Sequence, residues 1–261
     1  MDIKELNVNV AQKTTQNHPW EYARAKVVMD LLKRHLKNEK IECAIDIGCG
    51  DLFFLHQFCE KYTVARPIAI DTAFNEAVIS SLKFNSKNIV LYDNINKIIL
   101  DSKKADIIFL MDVIEHIEHD SDFLKEIASS NYVGPDTILM ITVPAFNKLF
   151  SSHDRFVGHF RRYTKKTLQN SVQIAGFQCI ESGYFFTTLI IARFFQKIAE
   201  KIKGGPLSTP VGAGGWKGGK LISKLYEYVL LCDYHIFRLL YKVGVKVPGL
   251  SVYCICKKIN D

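Results

Sequence analysis

Residues 41–52, Ile41-Glu42-Cys43-Ala44-Ile45-Asp46-Ile47-Gly48-Cys49-Gly50-Asp51-Leu52, decide the fold class. A short apolar run leads straight into Gly-Cys-Gly, and a helical pattern follows over 51–62. This is strand, tight turn, helix. Glycine at 48 and 50 lets the backbone come close to a ligand that a side chain would hold away. Further apolar strand runs follow at 64–70, ending at Asp71, and at 88–92, ending at Asp93. Others cover 106–111, 137–143, 178–184 and 250–256. Helical spacing of apolar residues fills 20–38, 74–84, 120–130 and 164–175, the last stopped by Gly176 as a C-cap. Strands alternating with helices predict an α/β fold, a doubly wound and mostly parallel sheet with helices on both faces. Ligands of such sheets bind beyond the carboxyl ends of the strands, so chemistry is sought in the residues that follow each strand.

The composition fits. Hydrophobic residues make up 48% of the 261-residue chain and charged residues 23%, which excludes a disordered tail, a collagen-like repeat and a coiled coil. The polar opening, Met-Asp-Ile-Lys-Glu, predicts no secretory signal, and no run reaches the roughly 18–20 apolar residues of a membrane span. A cytoplasmic protein is therefore expected. The seven cysteines form no CxxC pair and read as buried reduced thiols; no metal-ligand spacing stands out.

Charge is uneven. Residues 190–261 carry twelve Lys/Arg against four Asp/Glu, whereas the rest of the chain is nearly neutral. This basic quarter contains two amphipathic helices, predicted over 189–203 and 220–243. In the first, Leu189, Ile190, Ile191, Phe194, Phe195, Ile198 and Ile202 make the apolar face, and Arg193, Lys197, Lys201 and Lys203 fill the other. The connection, 204–219, holds seven of the fifteen glycines and reads as a flexible loop. Three regions are expected: a ligand-binding core over 1–188, a basic helical appendage over 189–246, and a last strand within 247–261 that returns to the core sheet. The basic appendage either caps the sheet or meets an anionic membrane, with Phe194, Phe195, Trp216, Tyr226 and Tyr228 near the headgroups and lysines against the lipid charge.

The glycine motif narrows the ligand. A dinucleotide site wants a third glycine where this chain has Phe53, and the acid Asp46 opposes a phosphate. Asp46 suits an amine or a cationic ligand instead. The segment 44–52 resembles motif I of the class I S-adenosylmethionine-dependent methyltransferases. Asp71, Asp93 and the string Phe109-Leu110-Met111-Asp112-Val113-Ile114-Glu115-His116-Ile117 are similar to further motifs of that family, in order. His18-Pro19-Trp20-Glu21-Tyr22-Ala23-Arg24 is similar to a helix start that closes over the cofactor in one subgroup. The resemblance implies S-adenosyl-L-methionine as cofactor and a seven-stranded, Rossmann-like sheet with an antiparallel last strand. It implies cofactor contacts from Trp20, Asp46, Gly48, Cys49, Gly50, Asp71, Thr72, Asp93, Asn94, Met111 and Asp112. In this family Asp71 would meet the ribose hydroxyls and Asp93 or Asn94 the adenine.

The segment after the fifth strand, Pro144 to Tyr163, is similar to a signature (VPA…HD…GH.RRY) of a methyltransferase subgroup associated with lipid-linked or cell-surface glycan pathways. Methyl transfer mainly requires positioning and exclusion of water. An oxygen acceptor also loses a proton, for which histidine is the usual base. His153 and His159 are the candidates, with Asp154 as orienter. Arg161 and Arg162 are expected to grip an acidic group of the acceptor, with Tyr163 and His116 beside them. The expected function is thus O-methylation of a small or lipid-linked acceptor. The alternatives are a quinone or other small-metabolite methyltransferase without membrane contact, and a non-catalytic cofactor-binding scaffold. Nucleic acid is disfavoured: no RNA-binding module is visible, and the fourth strand lacks the Asn/Asp-Pro-Pro-aromatic string of amino-methylating DNA enzymes.

Overall fold

The structure, a computed structural model, describes residues 18–36, 39–83, 88–100, 104–203, 216 and 218–259. Seven strands form one sheet: β1 (Lys40–Ile47), β2 (Thr63–Ile70), β3 (Val90–Tyr92), β4 (Ile107–Met111), β5 (Ile138–Pro144), β6 (Phe177–Phe185) and β7 (Ser251–Lys258). Their order is β3-β2-β1-β4-β5-β7-β6. Only β7 runs against its neighbours, pairing antiparallel with both β5 and β6. The expected mostly parallel sheet with an antiparallel last strand is therefore present. The interior strands are near-continuous apolar runs because both faces are covered.

Among the described residues the α-helices are α1 (Pro19–Leu32), α2 (Phe53–Lys61), α3 (Glu76–Lys83), α4 (Asp120–Ser129), α5 (Ser152–Val157), α6 (Lys165–Ile174), α7 (Thr188–Lys203) and α8 (Lys220–Lys242). Side chains alternate along β4. Ile108 and Leu110 enter a core shared with Leu124 and Ile127 of α4 and Leu168 and Val172 of α6. Ile107 and Phe109 enter a second core with Val27 and Leu31 of α1, Phe54 and Phe58 of α2, and Leu230 and Tyr234 of α8. Burying two such layers is the main favourable term of the fold. Four of the cysteines, Cys43, Cys49, Cys254 and Cys256, are buried, and all seven are free thiols.

One expectation about elements changes. The helix expected over 20–38 ends at Leu32. Residues 33–35 tighten into a turn (His35 N donates to Leu32 O at 2.8 Å), and Arg34 and His35 are drawn to Glu181 of β6 at 2.7 and 2.8 Å. The expected Gly-rich loop 204–219 lies outside the described residues except for Trp216, Gly218 and Gly219. Among the described residues, no helix is long and apolar enough to cross a membrane.

The register fixes where ligands can sit. Ile47 pairs with Ile70 on one side and Leu110 on the other, so β1, β2 and β4 end level. The chain direction of the winding reverses between β1 and β4, and the open crevice lies there.

Candidate active site

A cavity of about 950 Å³ opens at the carboxyl ends of β1, β2 and β4. Gly48, Asp71, Thr72, Met111 and Asp112 line it from the strand ends, and Asn94 to Asn96 from the turn after β3. The start of α1 closes one side with His18, Trp20, Glu21 and Arg24. That helix start is built locally. The imidazole Nδ1 of His18 accepts from Trp20 N at 3.1 Å, and Glu21 accepts from His18 N at 3.0 Å, a reciprocal cap that fixes the entry angle. Pro19 occupies the first helical position, where no amide donor is needed.

The Gly-Cys-Gly turn is tied to β2: Gly48 N and Cys49 N both donate to Ile70 O. Gly48 has φ +72°, and a Cβ there would lie 2.6 Å from Val113 Cγ2. Only glycine keeps this wall flat. Gly50 N donates to Asp71 Oδ2 at 3.0 Å, and Ala73 N donates to Asp71 Oδ1 at 3.0 Å, so the carboxylate at the end of β2 is held in place. Cys49 and Gly50 thus shape the turn and do not line the cavity. Asp46 is not on the wall either. It is buried beneath the turn, and among the described residues neither of its oxygens meets a donor. Burial pushes its pKa up to about 7 against the pull of Arg24.

Asp93 does not reach the cavity. It is bound to Lys97 one helical turn on, and Asn94 takes the lining position. Asp112 adopts a left-handed backbone (φ +59°), uncommon for aspartate, and forms an ion pair with buried Arg24. Arg24 also stacks over the Trp20 ring, 4.4 Å from its centroid. Arg24 was not anticipated from the sequence. Its signal is the basic residue one turn after Trp20 on the helix that covers the site.

The segment after β5 organises around Asp154, which is completely buried on α5. Its oxygens accept from Ser151 N (2.8 Å) and Ser151 Oγ (3.0 Å), from Arg162 Nε (2.7 Å) and Nη2 (3.1 Å), and from Arg193 Nη2 (3.3 Å). His159 Nδ1 is 3.0 Å from the same carboxylate. Burial opposes the charge, but the bonds from His159 and Arg162 win and hold this carboxyl well below the usual range. Gly158, at φ +86°, stops α5 and turns the chain so that His159 comes back over Asp154. His116, His153, His159 and Arg162 all line the cavity. The rings of His116 and His159 meet edge to face at 4.5 Å. Burial, aided by Arg193, lowers the His153 pKa and favours its neutral form.

Two expected acceptor residues face elsewhere. Arg161 pairs with Asp120 at 3.0 Å, and the Tyr163 hydroxyl lies 2.8 Å from the same aspartate, deep in the core. Residues 161–163 run extended, so 161 and 163 share one side and Arg162 takes the other. Arg162 itself reaches the cavity wall with its guanidinium fork already engaged by Asp154. Glu115 lines the cavity, is buried completely, and was read only as part of a motif string. Burial pushes its pKa well up, and neighbouring Asp112 adds to the effect.

The C-terminal helices also contribute. From α7, Leu189, Ala192, Arg193 and Gln196 line the cavity, and from α8, Tyr226 does. The two faces of α7 are thereby assigned. Arg193 points inward, while Ile191, Phe194, Phe195, Ile198 and Ile202 are exposed, Ile202 at 80%. The buried charge of Asp154 decides this, because it draws Arg193 across. Trp216 and Tyr226 likewise pack on His18, at 4.8 and 5.7 Å between ring centroids, and Tyr226 lines the cavity.

The residues present fit an adenosyl ligand: a glycine wall that a Cβ would fill, an acid fixed at the end of β2, and an aromatic helix start above them. The same fold recurs among known proteins. Among the solved structures, a putative sarcosine dimethylglycine methyltransferase from Galdieria sulphuraria is 12% identical, with 90% of this chain and 85% of that one covered at a TM-score of 0.56. The [4+2]-cyclase SpnF is 14% identical, with 95% and 85% covered, at 0.57. Phosphoethanolamine N-methyltransferase 2 of Haemonchus contortus, in complex with S-adenosyl-L-methionine, is 14% identical, with 89% and 52% covered, at 0.54. At these identities the likeness shows the fold, and the activities it spans differ. No curated protein matches the chain. A family described as "Methyltransferase domain" matches residues 20–182. That match spans well over half of the sequence and contains β1 to β5, whose carboxyl ends border the cavity, so this chain belongs to the methyltransferase-domain family.

Proposed function

We propose that the protein is an S-adenosylmethionine-dependent methyltransferase acting on an oxygen of a small or lipid-linked acceptor. One observation carries this reading: a single cavity joins the Gly48–Asp71 edge to the histidines His116, His153 and His159. When bound, S-adenosylmethionine supplies a methyl group on a sulfonium centre, open to in-line displacement. Asp71, Thr72 and Asn94 would hold the adenosine part, Gly48 leaves room for it, and Trp20 and Asp112 cover it. Asp46 supports the turn from below. The acceptor then lies toward Pro144, His153 and Arg193.

His153 is the proton acceptor in this account. Burial favours its neutral imidazole, so it can take the proton of the acceptor hydroxyl. Asp154, engaged by Arg162, Arg193 and His159, keeps the loop rigid. The neighbour in complex with S-adenosyl-L-methionine supports the cofactor assignment by analogy. His153→Ala is expected to lower kcat at least a hundredfold while leaving cofactor affinity within threefold, read by turnover and calorimetry. A variant that turns over normally would remove His153 from the chemistry.

A lipid-linked acceptor at a membrane surface is supported by α7 and α8. Their outward faces expose Phe194, Phe195 and Ile202, and Leu221, Leu225 and Tyr228, among Lys201, Lys220 and Lys224. An apolar stripe flanked by lysines suits an anionic bilayer. The protein is expected to float with vesicles containing phosphatidylserine at low salt. Remaining in the unbound fraction with such vesicles would favour a water-soluble metabolite as acceptor.

A further inference from the structure

We propose that Glu115, His116 and His159 bind a divalent transition-metal cation at the acceptor end of the cavity. One ligand atom from each, a carboxylate oxygen and two imidazole nitrogens, lies within 4.8 Å of the others. All three residues line the cavity. Bonds of about 2.1 Å place neighbouring donors roughly 3–3.5 Å apart, so small side-chain rotations complete the set.

Two further observations point to a cation. First, Glu115 is fully buried, and among the described residues neither carboxylate oxygen meets a hydrogen-bond donor. The nearby arginines are committed elsewhere, Arg24 to Asp112 and Arg162 to Asp154. A buried carboxylate without a partner is costly, and a metal ion satisfies it. Second, His159 is oriented as metal-binding histidines are. Its Nδ1 is held 3.0 Å from Asp154, which fixes the tautomer and presents Nε2 to the cavity.

Two imidazoles and one carboxylate favour manganese, iron(II), cobalt or zinc over magnesium or calcium. Three protein ligands leave open positions facing the cavity. If the methyl-transfer reading holds, an acceptor hydroxyl occupies one of them. The cation lowers the pKa of that hydroxyl, which then gives its proton more readily to His153. The acceptor class then narrows to hydroxyls able to chelate, such as vicinal diols or catechols.

The test uses the whole chain, stripped with chelator. Mn²⁺ and Co²⁺ are titrated separately by calorimetry, with the visible absorption of bound Co²⁺ as a second readout. One ion per chain is expected. Affinity should fall at least tenfold in Glu115→Gln and in His116→Ala. The metal-free Glu115→Gln protein should melt no lower than wild type, because it loses an unpaired buried acid. If Glu115→Gln does not fold, His116→Ala carries the same test. Asp71→Ala should lose S-adenosylmethionine and keep the metal, which separates failure of the metal site from failure of the methyltransferase reading. No binding of either ion to wild type, or binding undiminished in a folded variant, overturns the proposal.

Discussion

Asp46 sits under the glycine turn with both oxygens lacking a donor among the described residues, and its pKa rises to about 7 through burial. The sign of the consequence follows. The folded state holds this proton above the ordinary aspartate range, so between about pH 4 and 7 it binds more protons than the unfolded chain, and stability falls as pH rises. Asp46→Asn removes that loss. In thermal melts of the ligand-free protein, its gain over wild type should be large at pH 8 and small at pH 5; equal gains at both would refute the assignment. Gly48 makes a second point. Gly48→Ala pays for a left-handed backbone, about 1–2 kcal/mol, and for contact with Val113 as well. Adding Val113→Ala should recover the contact part and not the backbone part, measured by urea denaturation. The sequence made Gly48 and Asp71 legible because a strand followed by glycine, or ending in an acid, has few other uses. Glu115 was not legible in that way, since only burial without a partner distinguishes it from an ordinary surface acid.

At the scale of elements, α5 and α7 depend on one carboxylate. Asp154 binds the start of α5, Arg162 and Arg193 at once. Asp154→Ala would leave Arg162 buried and unpaired, at a cost of about 3–5 kcal/mol in urea unfolding. A loss below about 1 kcal/mol would show that the arginines find other partners. The periodicity of α7 revealed its two faces but not which one looks inward. The usual assumption that the apolar face is buried fails here because the cavity wall needs Arg193 and Gln196. Helix α5 was missed altogether: at six residues it carries too few turns for a period to show. The pairing of Arg161 and Tyr163 with Asp120 escaped for a similar reason, because alternation in a short extended segment is visible only once its partner strand is known.

At the scale of the molecule, the strand order brings the ends of β1, β2 and β4 level, and the two C-terminal helices close the resulting crevice. The sheet was legible almost throughout, because doubly covered strands are continuous apolar runs. The central claim is that this crevice binds S-adenosylmethionine through the acid at the end of β2. Calorimetric titration of wild type and Asp71→Ala with S-adenosylmethionine and, separately, with S-adenosylhomocysteine tests it most directly. Micromolar binding of both ligands to wild type, lost or weakened at least tenfold in Asp71→Ala while the melting temperature holds, is the predicted result. Absence of binding of either ligand to folded wild-type protein would contradict the account.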